Sequence, residues 1–168
     1  MLLFLDTEFT DLVGARELLS LALVSEDSEH EFYAERTDIT RAQCSEFVRE
    51  VVLPEFGRVP GAAGTFDELR SRLGLFLHNL PGRVYVGCDH EPDFELLRAA
   101  IGLPWPVHVT AQRWKLEDWQ LEPHWAVAEA DFYGPGRPRH HALEDARALR
   151  AGYLAWRKHI SRECGRSS

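Results

Sequence analysis

Apolar residues fall along this chain in short runs and helical stripes, and these set the expected elements. Leu2–Leu5 is an apolar run ending at Asp6; Leu18–Val24 and Glu31–Ala34 follow it. The polar stretch SEDSEH between the last two is of hairpin type, so three strands in an antiparallel meander open the chain. Thr40 is placed to N-cap a helix to about Val52, with Pro54 as its stop. GRVPGAAG reads as loop. Thr65 then caps a helix carrying Leu69, Leu73, Phe76, Leu77 and Leu80 at helical spacing. Arg83–Gly87 is a fourth strand, Asp93–Ile101 a helix closed by Gly102 and Pro104, and Val107–Val109 a short fifth strand. Thr110–Tyr133 holds three tryptophans and an acidic face, and reads as helical in pieces. After the loop GPGRPR, Leu143, Ala146, Leu149, Tyr153 and Trp156 mark a last helix from His140 to about His159. This order predicts one α/β domain over residues 1–160, a mixed sheet with an antiparallel three-strand start, flanked by helices, then a tail over 161–168.

Composition narrows the class. A chain of 168 residues, 45% hydrophobic and 27% charged, suits a single globular domain with a sizeable core. No stretch approaches the roughly 20 apolar residues of a membrane span, and MLLFL has neither the length nor the basic flank of a signal peptide. Cys44, Cys88 and Cys164 are widely spaced with no CxxC, which fits reduced thiols in a cytoplasmic protein. The net charge of -8 argues against a generic nucleic-acid coat. From Arg137 onward, however, eight basic residues face three acids, which permits a local anion-binding face or simply a solvated basic helix.

The chemistry-bearing residues sit at element ends. Strand residues i and i+2 share a face, so Asp6 and Glu8 emerge together from the first strand. Asp89 to Asp93 follow the fourth strand, His140 and His141 end the Gly-Pro loop, and Asp145 lies one turn into the last helix. Taken singly, each has a bland reading: Asp93 as a helix cap, Asp145 as a surface acid near a helix N-terminus, the histidines as loop residues. Taken together, three segments deliver acids to one sheet edge, where open α/β folds put their sites. Converging carboxylates call for hard divalent cations such as Mg²⁺ or Mn²⁺. Two ions roughly 3.5–4 Å apart can clamp the attacking and leaving oxygens of a phosphodiester. A nearby histidine, with an unperturbed pKa of about 6.5, can take the proton of the attacking water.

DTEFT, CDHEPDFELL and HHALEDA resemble the three exonuclease motifs of the DEDD superfamily, in its histidine-containing (DEDDh) branch. The His-to-Asp spacing of the third motif puts His140, not His141, in the catalytic position. The resemblance spans residues 6 to 145 and is nearest to the small bacterial 3′-5′ exoribonucleases of the ribonuclease T type. It implies a ribonuclease H-like fold and hydrolysis of single-stranded or 3′-overhanging RNA to nucleoside 5′-monophosphates with two Mg²⁺ or Mn²⁺ ions. By the same resemblance Asp6 would bridge both ions, Glu8 and Asp145 would hold one, Asp93 the other, and His140 would be the general base. Phe9 would pack near the terminal base and the Thr7 backbone near the 3′ hydroxyl. The second motif departs from the family's His-Asn-x-x-Phe-Asp: Asp89 stands where asparagine is usual and rivals Asp93. Arg137 and Arg139 flank His140 as candidate phosphate contacts, and Trp114, Trp119 and Trp125 are candidate stacking platforms, more of them expected in the core than in the site. The implied partner is a single-stranded 3′ end, RNA preferred, and the family often forms homodimers. Two other readings stay open: the same chemistry on DNA, and a binding module that has lost catalysis.

Overall fold

Alternation in the first strand explains the layering of the molecule. In a computed structural model that describes residues 1–12 and 16–164, β1 runs Leu2–Phe9. Its Leu3 and Leu5 pack on one side of the sheet, and Leu2 and Phe4 on the other, so the strand is buried on both faces. β2 (Leu18–Ser25) and β3 (Glu31–Arg36) continue it as an antiparallel meander. The remaining strands are β4 (Ala63–Gly64), β5 (Val84–Cys88) and β6 (Val109–Lys115), all parallel to their neighbours. The sheet order is β4-β3-β2-β1-β5-β6, a mixed α/β sheet of the expected kind. Helices α1 (Phe66–Asn79) and α2 (Glu91–Ile101) cover the face of Leu3 and Leu5 through Leu69, Leu73, Leu77 and Leu97. The other face is covered by α4 (Pro123–Phe132) and α5 (Ala142–Cys164), with the short α3 (Glu117–Gln120) beside them.

Several boundaries differ from the expectation. β1 does not end at Asp6, because pairing with β2 carries on to Phe9 opposite Leu18, with a bulge after Glu8. The fifth strand is not Val107–Val109: Val107 is fully exposed, and the strand occupies Val109–Lys115. Its polar sequence carries no hydrophobic alternation because it is an edge strand, fixed by parallel pairing with β5. The helix expected over 40–52 is broken. A single tight turn follows Thr40, Cys44 is extended, and Ser45 restarts the chain, its hydroxyl accepting from Val48 N at 3.3 Å. The Ser45 amide donates to Thr10 O at 2.9 Å, which ties these helical turns to the end of β1. They continue past Pro54 to Glu55, so the proline does not stop them. The stretch expected as loop contains β4, and α2 starts two residues early, with Pro92 in its first turn. The last helix continues past residue 160 to Cys164; residues 165–168 of the expected tail, and the side chain of Cys164, lie outside the described residues. Cys44 and Cys88 are buried free thiols. Among the described residues no helix is long and apolar enough to cross a membrane.

Candidate active site

The C-terminal half of β1 places its side chains by alternation. Asp6 and Glu8 share the side of Leu2 and Phe4, toward α5; Thr7 and Phe9 share the side of Leu3 and Leu5, toward α2. Parallel β5 ends beside β1, and Asp89 follows it. The first turn of α2 brings Asp93 up from one face, and the first turn of α5 brings Asp145 from the other. Five carboxylates and His140 thus converge at one sheet edge. Ligand atoms of Glu8, His140 and Asp145 lie within 4.8 Å of one another, and so do those of Asp6, Asp89 and Asp93. Asp89 and Asp93, rivals in the sequence, both reach Asp6.

Three of the acids, Asp93, Asp89 and Asp145, are held by specific donors. Thr7 Oγ1 donates to Asp93 Oδ1 at 2.6 Å in a buried contact, so Asp93 does not cap its own helix and the Thr7 side chain is committed to a site acid. Gln120 Nε2 donates to Asp89 Oδ2 at 2.8 Å. The Tyr133 hydroxyl donates to Asp145 Oδ1, and the His141 amide donates to Asp145 Oδ2 at 3.2 Å.

The electrostatics is that of an acidic cluster that Arg113, near Asp93, and Arg139, near Asp145, offset only in part. Burial, and then repulsion from Asp93, Asp145, Glu8 and Asp89, raises the Asp6 carboxyl well above the usual range. Burial with Asp145 and Asp93 nearby pushes Glu8 up to about 8. Asp93 rises to about 7 and Asp145 to about 6, both chiefly by burial and in spite of their hydrogen bonds from Thr7 and Tyr133. Burial, then Arg139, lowers the His140 imidazole, so at neutral pH it is uncharged and able to accept a proton. His140 holds a left-handed backbone, φ 59°, at a cost of roughly 1–2 kcal/mol for a residue with a Cβ. Its ring meets the edge of Phe47 at 5.0 Å between centroids.

The acids form the floor of a cleft of about 670 Å³. One wall is apolar, from Phe9, Leu12, Phe47 and Val48; the other carries Asp89 and His90. No arginine or lysine is among the described residues that line it. Phe9 faces the cleft and also packs on the core, with the His90 ring stacked at 6.4 Å. Arg139 lies instead over the Tyr133 ring at 4.0 Å, in the wall of a smaller cavity of about 180 Å³ behind the acids. Arg137 donates to Phe132 O at 2.7 Å and stays on the outer side of the loop, 3.8 Å from Glu144. The tryptophans are elsewhere: Trp125 is fully buried, and Trp114 and Trp119 pack with Tyr153 and Trp156 under α5, so none of the three lines the cleft.

Sequence reasoning missed Tyr133, Gln120, Phe47 and His90. Tyr133, Gln120 and Phe47 act from elements outside the motifs, and His90, though inside the second motif, meets Phe9 only through the fold, so no spacing rule joins them. His141 is buried with both ring nitrogens unpartnered and stacks on Tyr33 at 4.8 Å, so its side chain faces away from the acids.

No protein-family model and no curated protein matches the chain. Solved structures do. The crystal structure of cell-death related nuclease 4 (CRN-4) superposes with a TM-score of 0.57 at 16% identity, covering 95% of this chain and 64% of that one. The crystal structure of a full-length 3′-exonuclease gives 0.60 at 15% identity, covering 95% and 81%. The chain therefore spans a little under two thirds of the length of CRN-4. At these identities the likeness establishes the fold, which is the ribonuclease H-like type of those nucleases.

Proposed function

We propose that this protein is a metal-dependent 3′-5′ exonuclease that hydrolyses single-stranded or 3′-overhanging nucleic acid, RNA by preference, to nucleoside 5′-monophosphates. The observation that carries the reading is the convergence of Asp6, Glu8, Asp89, Asp93 and Asp145 with a neutral His140 on the floor of one cleft whose described lining holds no arginine or lysine. Like charges so buried call for compensation, and an all-oxygen donor set with one imidazole suits Mg²⁺ or Mn²⁺. The shared fold of two nucleases and the resemblance of the three motifs support the same chemistry.

Two ions fit the two groups of donors: Glu8 and Asp145 would hold one, Asp93 and Asp89 the other. Asp6, which feels all four other acids, would be shared. When bound, such ions stabilise charge on the attacking and leaving oxygens. His140 accepts a proton from the water that attacks phosphorus, the bond to the 3′ oxygen of the preceding nucleotide breaks, and that oxygen takes a proton from solvent to leave as the new 3′ hydroxyl. Phe9 and Phe47 offer apolar faces beside the acids for the terminal base, and Arg139 can meet a phosphate from behind them.

The test is release of nucleoside 5′-monophosphates from matched 5′-labelled RNA and DNA oligomers with Mg²⁺, Mn²⁺ or chelator. Metal-dependent shortening from the 3′ end, faster on RNA and abolished in Asp6→Ala, is the expected result. Faster degradation of DNA would replace the RNA preference with a repair-type activity. No shortening of any single strand, with binding intact, would leave a binding module.

A further inference from the structure

Both carboxylate oxygens of Asp145 are held by donors from this chain. Oδ2 accepts the amide of His141, which belongs to the same helix start and travels with Asp145. Oδ1 accepts the hydroxyl of Tyr133, which belongs to the end of another helix. A carboxylate oxygen has two lone pairs, so each oxygen keeps one direction open while rotation of the group is blocked. Tyr133 is thus the external reference that sets the plane of Asp145.

The fold delivers Tyr133 with little freedom. It follows α4 directly, its amide donating to Glu129 O at 3.2 Å. α4 is clamped on α5 where Trp125 lies over Gly152: a Cβ at 152 would stand 2.3 Å from the indole Nε1. That Nε1 in turn donates to Glu129 Oε2 at 3.1 Å, one turn before Tyr133. The Arg139 guanidinium covers the outer face of the Tyr133 ring. Tyr133 borders the small cavity behind the acids and not the main cleft, so it reaches Asp145 from the side away from substrate.

We infer that Tyr133 is a positioning residue of the site, aiming the Asp145 carboxylate at the cation that it would share with Glu8. The inference rests on the metal-dependent reading above and adds a residue to it. A hydroxyl oriented on a metal-ligating carboxylate commonly sets affinity by about 10–100-fold. Tyr133→Phe keeps the ring under Arg139 and removes only the hydroxyl.

The experiment is calorimetric titration of the metal-free protein with Mn²⁺, for wild type, Tyr133→Phe and Asp145→Ala, with kcat and KM on a short RNA and thermal unfolding of each metal-free form. The expected result is one Mn²⁺ site weakened by about 10–100-fold in Tyr133→Phe, in the direction of Asp145→Ala, with kcat reduced, KM for RNA within about twofold, and the thermal midpoint within the few degrees of an ordinary surface change. A lower thermal midpoint with unchanged Mn²⁺ affinity would make Tyr133 a packing residue and overturn the inference. Unchanged affinity and unchanged kcat would do the same. Absence of any Mn²⁺ binding by wild type would instead remove the metal reading itself, a result the wild-type titration reports independently of the variants.

Discussion

Asp6, Asp89 and Asp93 hang from the sheet and from a helix packed on it. Thr7 from β1 grips Asp93, and Gln120 grips Asp89. Glu8 shares the strand of Asp6, but its partners His140 and Asp145 arrive on the far side of a Gly-Pro loop. There the backbone is left-handed at Gly136 and His140, and the external grip is a tyrosine from a helix that must itself be clamped in place. In the first group the Thr7 support is buried within β1, while Gln120 reaches Asp89 from the short α3. The second is assembled from segments whose relation is set by α4 packing on α5. The proposed hydrolysis would draw on both: oxygens held in place to carry charge, and a proton acceptor on the loop beside them.

Removing the proton acceptor tests the second half most severely. His140→Ala should lower kcat by roughly 10²–10⁴-fold, the usual contribution of a positioned general base, while Mn²⁺ titration shows the Asp6, Asp89 and Asp93 group still loaded. A variant with near-wild-type rate would end the general-base assignment and make His140 a loop residue. Loss of both Mn²⁺ ions would show that the two halves form one unit, and the contrast between them would fail.

What the sequence made legible follows the same division. Alternation alone put Asp6 and Glu8 on one side of β1, and it holds because β1 is a central strand whose faces are fixed by Leu2 to Leu5. The three-strand meander was readable because its apolar runs are buried throughout and parted by a polar turn, and α1 because its burial is periodic. β6 was misplaced because an edge strand held by pairing has no apolar signature. The supports of the site were invisible for a related reason. Tyr133 finds Asp145 through the close approach of Trp125 to Gly152, a tertiary fact to which a single sequence gives no period. Trp125, one of three tryptophans read as candidate stacking platforms, makes that approach.

Asp89 sharpens the comparison from the sheet side at a smaller scale. Were Asp93 alone enough to anchor its ion, Asp89→Asn would be silent, since asparagine keeps the size and can still meet Gln120. With both acids near Asp6, the substitution should weaken one Mn²⁺ site and lower the rate by about tenfold, at the lower end of what a lost support contributes. Binding and rate equal to wild type would return Asp93 to sole occupancy of the second-motif role.

The smallest effect is read on stability, and it separates the acids from the histidines by pH. Glu8, at about 8, and Asp93, at about 7, lie above the ordinary values near 4 that they regain on unfolding. Between those limits the folded state holds more protons than the unfolded one, so stability of the metal-free protein falls as pH rises. His140 and His141 act oppositely: both are lowered in the fold, so they favour folding as pH rises, but only up to about 6.5, where the unfolded imidazole has lost its proton. The acids held below their ordinary range, Asp27, Asp38, Glu68 and Glu117, act only below about pH 4. From about pH 6.5 to 7.5 the acidic cluster is therefore left to act alone, before the buried Cys44 and Cys88 thiols, both raised in the fold, join it as the unfolded thiols ionise near 8.5. The thermal midpoint of chelated protein should drop across that window by roughly 5 °C, given about 2–4 °C per kcal/mol for a chain of this size. Saturating Mg²⁺ should reverse the slope, because deprotonated acids bind the ion more tightly. Asp6→Asn should raise the chelated midpoint at pH 8, since it removes the carboxylate that all the others repel, even as it removes activity. A flat profile in chelator, or an Asp6→Asn midpoint below wild type, would mean that the cluster is already compensated within the chain, and the case for a divalent cation would lose its electrostatic basis.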